Sequence, residues 1–272
     1  MVEYILLFLP FLILPFYRNK LFGFIVILTL IIAGHLLISL VLQGFSIFTH
    51  LNVLISVIIL DLLFYLVYRK KIEFPIKKQS VDWVAIAVFS LSIIYLGNVH
   101  YNYNGKYTVE ETRSFLVAES LHYQYPYYSD EWDAIAIANA KIQSESFFLL
   151  HPYTRTESLF LNYEIAFHSF ITEVFLLLDV NPATSYINLS ITLNALLILL
   201  VYLLLRSHGV VHFASAGAAL LTLYITNGAN LPGLWTLLPM TTGSIMLLLG
   251  LLFFSYNYKP GILAVFLLTL LF

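Results

Sequence analysis

LFGFIVILTLIIAGHLLISLVLQ, residues 21–43, contains no aspartate, glutamate, lysine or arginine. As an α-helix rising about 1.5 Å per residue, it covers the roughly 30 Å hydrocarbon core of a bilayer. Comparable apolar runs follow at 46–68, 82–98, 183–205, 210–227, 234–256 and 260–272. A shorter one at 3–17 carries Pro10 and Pro15. That first run lacks a basic leader and a small-residue cleavage site, so it reads as a span and not as a signal peptide. The whole chain of 272 residues is 60% hydrophobic and 10% charged, where a soluble domain carries about 25% charged residues. The expected fold class is therefore all-α: a polytopic transmembrane bundle with one large loop.

Composition also closes some routes. With no cysteine, the chain has no disulfide, thiolate nucleophile or Cys-ligated metal. A net charge of −2 gives no field that would draw nucleic acid. No phosphate-cradling glycine loop, HExxH or GxSxG is present. Asn188-Leu189-Ser190 matches a glycosylation sequon but falls inside an expected span.

Lysine and arginine in short loops set orientation. Arg18 and Lys20 follow the first run; Arg69, Lys70, Lys71, Lys77 and Lys78 follow the third. Placing these on the cytoplasmic side puts Met1 outside and delivers a long polar loop, 99–182, to the outer side. The stretch SLFLNYEIAFHSFITEVFLLL, 158–178, admits two readings. Its apolar residues Phe160, Tyr163, Phe167, Phe170, Val174 and Leu178 share a stripe, with Asn162, His168, Ser169, Thr172 and Glu173 away from it. If it spans, Arg206 and Lys259 fall outside. If it lies flat in the interface, both fall inside with the other short-loop cations. The flat reading is the expectation. The last run, at about 20 Å of helix, falls short of the core, so the chain reads as a fragment truncated at Phe272.

Eleven of the fifteen acidic residues lie between Glu110 and Asp179, which concentrates candidate chemistry in the long loop. The sharpest cluster is YPYYSDEWD, 125–133, before a helical stretch at 132–146. Asp130 and Glu131 are candidate general bases, and Asp130 with Asp133 a candidate cation pair, since carboxylates suit both tasks. The same residues also suit a plain helix start, where Ser129 or Asp130 caps and acids favour the positive end of the dipole. His151 and Arg155 are candidates for binding a phosphate-bearing substrate, against the reading of an ordinary loop arginine. Glu164 and His168, four apart, share a helix face. They are substrate-binding candidates, or simply a polar face. His35 and Asp61 are ionisable groups inside spans. Structural roles are expected for both, with His35 hydrogen-bonded between helices.

The order of these features resembles the amino-terminal region of GT-C-type integral-membrane glycosyltransferases, of the poorly characterised bacterial and archaeal branch near the mannosyl- and aminoarabinose-transferases. The features are a basic segment leading into 82–98, Ser129-Asp130-Glu131-Trp132 opening a helix, His151-Pro152-Tyr153, Glu164-Ile165-Ala166-Phe167-His168, and a span ending at Arg206. The resemblance covers roughly 82–256. It divides the chain into three amino-terminal transmembrane helices, 1–81, and a GT-C-like membrane domain, 82–272. It departs from the family in its three extra leading spans, in lacking the family's carboxy-terminal helices, and in Asp133, which has no counterpart. The resemblance implies transfer of a sugar from a polyprenyl-phosphate donor to an acceptor (glycan, lipid or protein) at the outer face of a prokaryotic plasma membrane. It implies Asp130 as base with Glu131 beside it. Arg155 would face the leaving phosphate, and a divalent cation, Mg or Mn, is compatible but not demanded. A transporter or flippase and a non-catalytic membrane subunit are the alternatives.

Overall fold

A backbone in lipid must satisfy its own hydrogen bonds, so long apolar runs close into helices. The computed structural model describes residues 10, 20–68, 82–102, 105–107, 121–123, 129–146, 164–224 and 236–269. The helices are α1 (Lys20–Gly44), α2 (His50–Tyr68), α3 (Trp83–Tyr101), α4 (Ser129–Ser144), α5 (Ile165–Leu177), α6 (Pro182–Ser207), α7 (His212–Leu221), α8 (Pro239–Ser255) and α9 (Lys259–Thr269). Four of them, α1, α2, α3 and α6, are long and apolar enough to cross a membrane. α5, α8 and α9 are apolar but shorter. Of the expected span 3–17, only Pro10 is described. Apart from the helices, Gly105–Tyr107 (β1) pairs antiparallel with Leu121–Tyr123 (β2). These strands are too short for an alternating pattern to announce them in sequence.

Four turns share one hydrogen-bonding pattern, in which a residue with positive φ follows the helix and two backward N–H bonds close the end. After α1, Ser46 N–H bonds Gln43 O and Ile47 N–H bonds Leu42 O. After α5 the pair is Asp179 to Leu176 and Val180 to Phe175; after α6, Gly209 to Arg206 and Val210 to Leu205; after α8, Asn257 to Phe254 and Tyr258 to Phe253. Gly209, at φ 81°, and Asn257, at φ 51°, advertise such turns by residue type; Ser46 and Asp179 do so less. The turn at Ser46 is why α2 begins at His50 and not at 46 as the apolar run suggested.

The core runs between α6, α8, α3 and α1, around Tyr186, Ile198, Tyr202, Leu249, Phe253 and Ile25. Gly34 lets α1 approach α2 closely: a Cβ there would lie 2.5 Å from Leu60 Cδ2. At one end of the bundle, the Tyr202 hydroxyl donates to Asp82 Oδ2 (2.8 Å) and joins α6's carboxy terminus to the start of α3. Asp82 also caps α3 through the N–H groups of Val84 and Ala85. At that end Arg206 bonds the Val210 carbonyl and His212 Nε2. Phe22 near the start of α1 packs on Tyr256 and Tyr258 in the α8–α9 turn. The helix ends bearing Lys20, Arg206 and Lys259, and the one entered from the 69–78 segment, are thus gathered together. α4 lies against the opposite end.

α5 departs from the amphipathic reading. Every residue from Ala166 to Leu177 is buried, including His168, Ser169, Thr172 and Glu173. The polar side expected to meet water is instead covered by α1, α2 and α4. Residues 158–163 of the stretch lie outside the described residues.

Candidate functional site

α4 starts at Ser129, three residues earlier than the sequence pattern suggested, so Asp130 and Glu131 both sit in its first turn. There they meet unsatisfied N–H groups and the positive end of the helix dipole. Consecutive helical residues point about 100° apart, and this separates the two acids. Asp130 is exposed. Glu131 is fully buried and its Oε1 accepts the backbone N–H of Leu237 at 3.0 Å. Tyr186 donates its hydroxyl to the Leu237 carbonyl, and Asn194 Nδ2 donates to the Thr236 carbonyl at 3.2 Å. Glu131, Tyr186 and Asn194 therefore hold the strand-like lead into α8. Glu131's position is that of a structural acceptor.

Glu164 immediately precedes α5 and is exposed. Its carboxyl is raised above the usual range, first by desolvation and then by the charges of Asp130 and Asp133. The three acids thus form one electrostatic group where α4 meets α5. His168 does not join them. It is 3% exposed and its ring Nδ1–H donates to the Glu164 backbone carbonyl at 3.1 Å. Burial pushes it down to about 4, with the Lys141 charge adding to the effect against that hydrogen bond. The imidazole is thus buried and turned onto the backbone carbonyl of Glu164. Among the described residues no group of three or more His, Asp or Glu side chains is arranged to hold a metal ion. The Asp130–Asp133 cation pair therefore gains no third ligand there. His151 and Arg155 lie outside the described residues.

What fixes α4 is Lys141, three turns beyond Asp130. Its Nζ donates to Gln43 Oε1 (2.8 Å) and Ser169 Oγ (3.0 Å). Gln43 Nε2 donates to Ser39 Oγ (2.7 Å), and Ser39 Oγ donates to the Ser169 carbonyl (2.8 Å). Burial pushes the Lys141 ammonium down to about 8. His35, Ser39 and Gln43 recur every four residues, so they make one polar stripe along α1. Ser169 and Glu173 do the same on α5. The stripes meet where His35 Nδ1 lies 2.8 Å from Glu173 Oε1. His35 is thus hydrogen-bonded between helices. Asp61 of α2 is its other electrostatic neighbour.

No family model, curated protein or solved structure matches this chain.

Sequence reasoning passed over Lys141 and Glu173. Lys141 falls in the long loop, where the charge rule carries little information, and Glu173 falls on the side of α5 away from the apolar stripe. One signal was present in each case. Lys141 ends an Ala/Ile-rich helix, and Glu173 interrupts the apolar run FITEVFLLL.

Proposed function

We propose that this chain is the membrane portion of a GT-C-type glycosyltransferase using a polyprenyl-phosphate sugar, with Asp130 as its general base. The observation that carries the reading is the split between neighbours: Asp130 is exposed, whereas Glu131 is buried under a backbone N–H. A base must reach the proton it removes, and Asp130 stands on a helix tied rigidly to the bundle through Lys141. Lys20, Arg206 and Lys259 belong to helix ends gathered at the other end of the bundle, which by the positive-inside rule supports an outer-face position for α4; the prokaryotic plasma membrane is what the resemblance implies. The lipid tail of the donor would lie along the helices with its phosphate at that face.

In this reaction the acceptor hydroxyl oxygen bonds the anomeric carbon as the bond from that carbon to the phosphate oxygen breaks. The hydroxyl proton passes to Asp130, and polyprenyl phosphate leaves with the electron pair. In-line attack inverts the anomeric centre. Arg155 would balance the phosphate and His151 would line the same approach; Glu164 would orient the acceptor. A divalent cation, Mg or Mn, would serve the leaving phosphate where one is used. The acceptor is a glycan, lipid or protein. The test supplies polyprenyl-phosphate sugars to the reconstituted protein and measures sugar transfer. Undiminished turnover in Asp130→Asn would sink the assignment.

Transport is the second reading. It is favoured by one specific observation, the ionisable groups His35, Asp61 and Glu173 gathered inside the bundle, where transporters place their coupling sites. Flux of a lipid-linked sugar across proteoliposomes without transfer would favour it.

A further inference from the structure

We propose that Asp61, His35 and Glu173 form a proton-binding site inside the membrane, taking up one proton on a carboxylate oxygen. The three residues come from three helices, α2, α1 and α5, and all are at least nine-tenths buried. His35 Nδ1 faces both oxygens of Glu173, at 2.8 and 3.0 Å. Its ring N–H is therefore committed to Glu173. Asp61 on α2 is close enough to the imidazole for each to act on the other's charge. Its Oδ2 is buried and, among the described residues, has no hydrogen-bond donor.

Charge counting then decides the state. Even with the imidazole protonated, one cation stands between two carboxylates. An uncompensated charge held at membrane depth is costly, and a buried carboxylate without a donor relieves that cost by taking a proton. Among the described residues, the surroundings offer no other cation for the purpose. α8 contributes no charged residue, and α9 only Lys259 at its start. On α4, Lys141 is engaged one turn of α5 away, at Ser169 and Gln43, and its charge acts on His168. His50 of α2 faces the Leu176 carbonyl (2.6 Å). The proton comes from water and settles on the oxygen that lacks a donor, Asp61 Oδ2. No bond other than the new O–H is made, and none to carbon is broken. The site is independent of the glycosyltransferase reading, since Asp130 lies at the end of α4 remote from it.

Infrared difference spectroscopy on the intact chain in lipid nanodiscs tests this. At mildly acidic pH the wild type should show the carbonyl stretch of a protonated carboxyl group that exchanges slowly into deuterated water. Asp61→Asn or Glu173→Gln should abolish that band, and Asp130→Asn should leave it. An upward pH jump on wild type from mildly acidic pH, read by an indicator dye, should show release of one proton per chain; this arm needs no variant to fold. Absence of the band from the wild type, or its full persistence in both Asp61→Asn and Glu173→Gln, overturns the proposal.

Discussion

Asp130 and Glu131 are adjacent carboxylates with opposite fates, and substitution should separate them. Asp130→Asn keeps the shape and the first-turn placement. It is expected to leave the thermal midpoint in detergent unchanged while lowering sugar transfer about 10²- to 10⁴-fold, the usual worth of a general base. Glu131→Ala should do the reverse. It strands the Leu237 N–H without its acceptor, at a cost of about 1–3 kcal/mol, seen as a lower midpoint with turnover retained in the folded fraction. Interchanged outcomes would move the base to Glu131. Sequence spacing found both residues but could not rank them. Ranking depends on the register of α4, and a helix begun at 132 instead of 129 would turn different side chains inward.

At the scale of single helices, α5 carries the largest gap between pattern and structure. Its apolar stripe was legible, but its polar residues were assigned to water. Their partners are Lys141 on α4 and the His35–Ser39–Gln43 stripe on α1, and a local periodicity holds no information about what lies across it. Two predictions follow from this burial. His168 releases its proton at about 4 in the folded protein against an ordinary 6.5. Between those values the unfolded chain binds the proton and the folded one does not, so stability falls on acidification through that window. His168→Gln should flatten this part of the melting-temperature profile relative to wild type; an unchanged slope would contradict it. Lys141→Met keeps the aliphatic stem but loses both hydrogen bonds from Nζ. A loss of about 1–3 kcal/mol in denaturant titrations, with reduced transfer, is expected if Lys141 holds α4 in place.

For the molecule as a whole, the apolar runs were enough to foresee the four helices that are long and apolar enough to cross a membrane, whereas the runs at 210–227, 234–256 and 260–272 gave shorter helices among the described residues. They could not foresee the close approaches. Gly261 sits under Phe253, and a Cβ there would lie 2.6 Å from ring carbons. Unlike the flexible Leu60 methyl beside Gly34, a packed ring cannot easily move aside. Gly261→Ala should therefore splay the α8–α9 pair and cost about 1–3 kcal/mol, measured as a drop in thermal midpoint. Sidedness is testable because the chain has no cysteine of its own. Cysteines at Val180 and His208 flank α6. A membrane-impermeant thiol reagent on intact cells should label the first and not the second, and the opposite pattern would invert the proposed topology.

The all-round burial of α5 also bears on biogenesis. Glu173 is synthesised 138 residues after its partner His35. Until then α1 must wait in the bilayer with His35, Ser39 and Gln43 uncovered, and α5, carrying a carboxylate, has little tendency to enter lipid alone. The His35–Glu173 contact therefore forms only after α5 has been made. Ribosome-stalled chains ending before Ile165 should be degraded by membrane proteases, whereas chains stalled well beyond Ser207 should resist them.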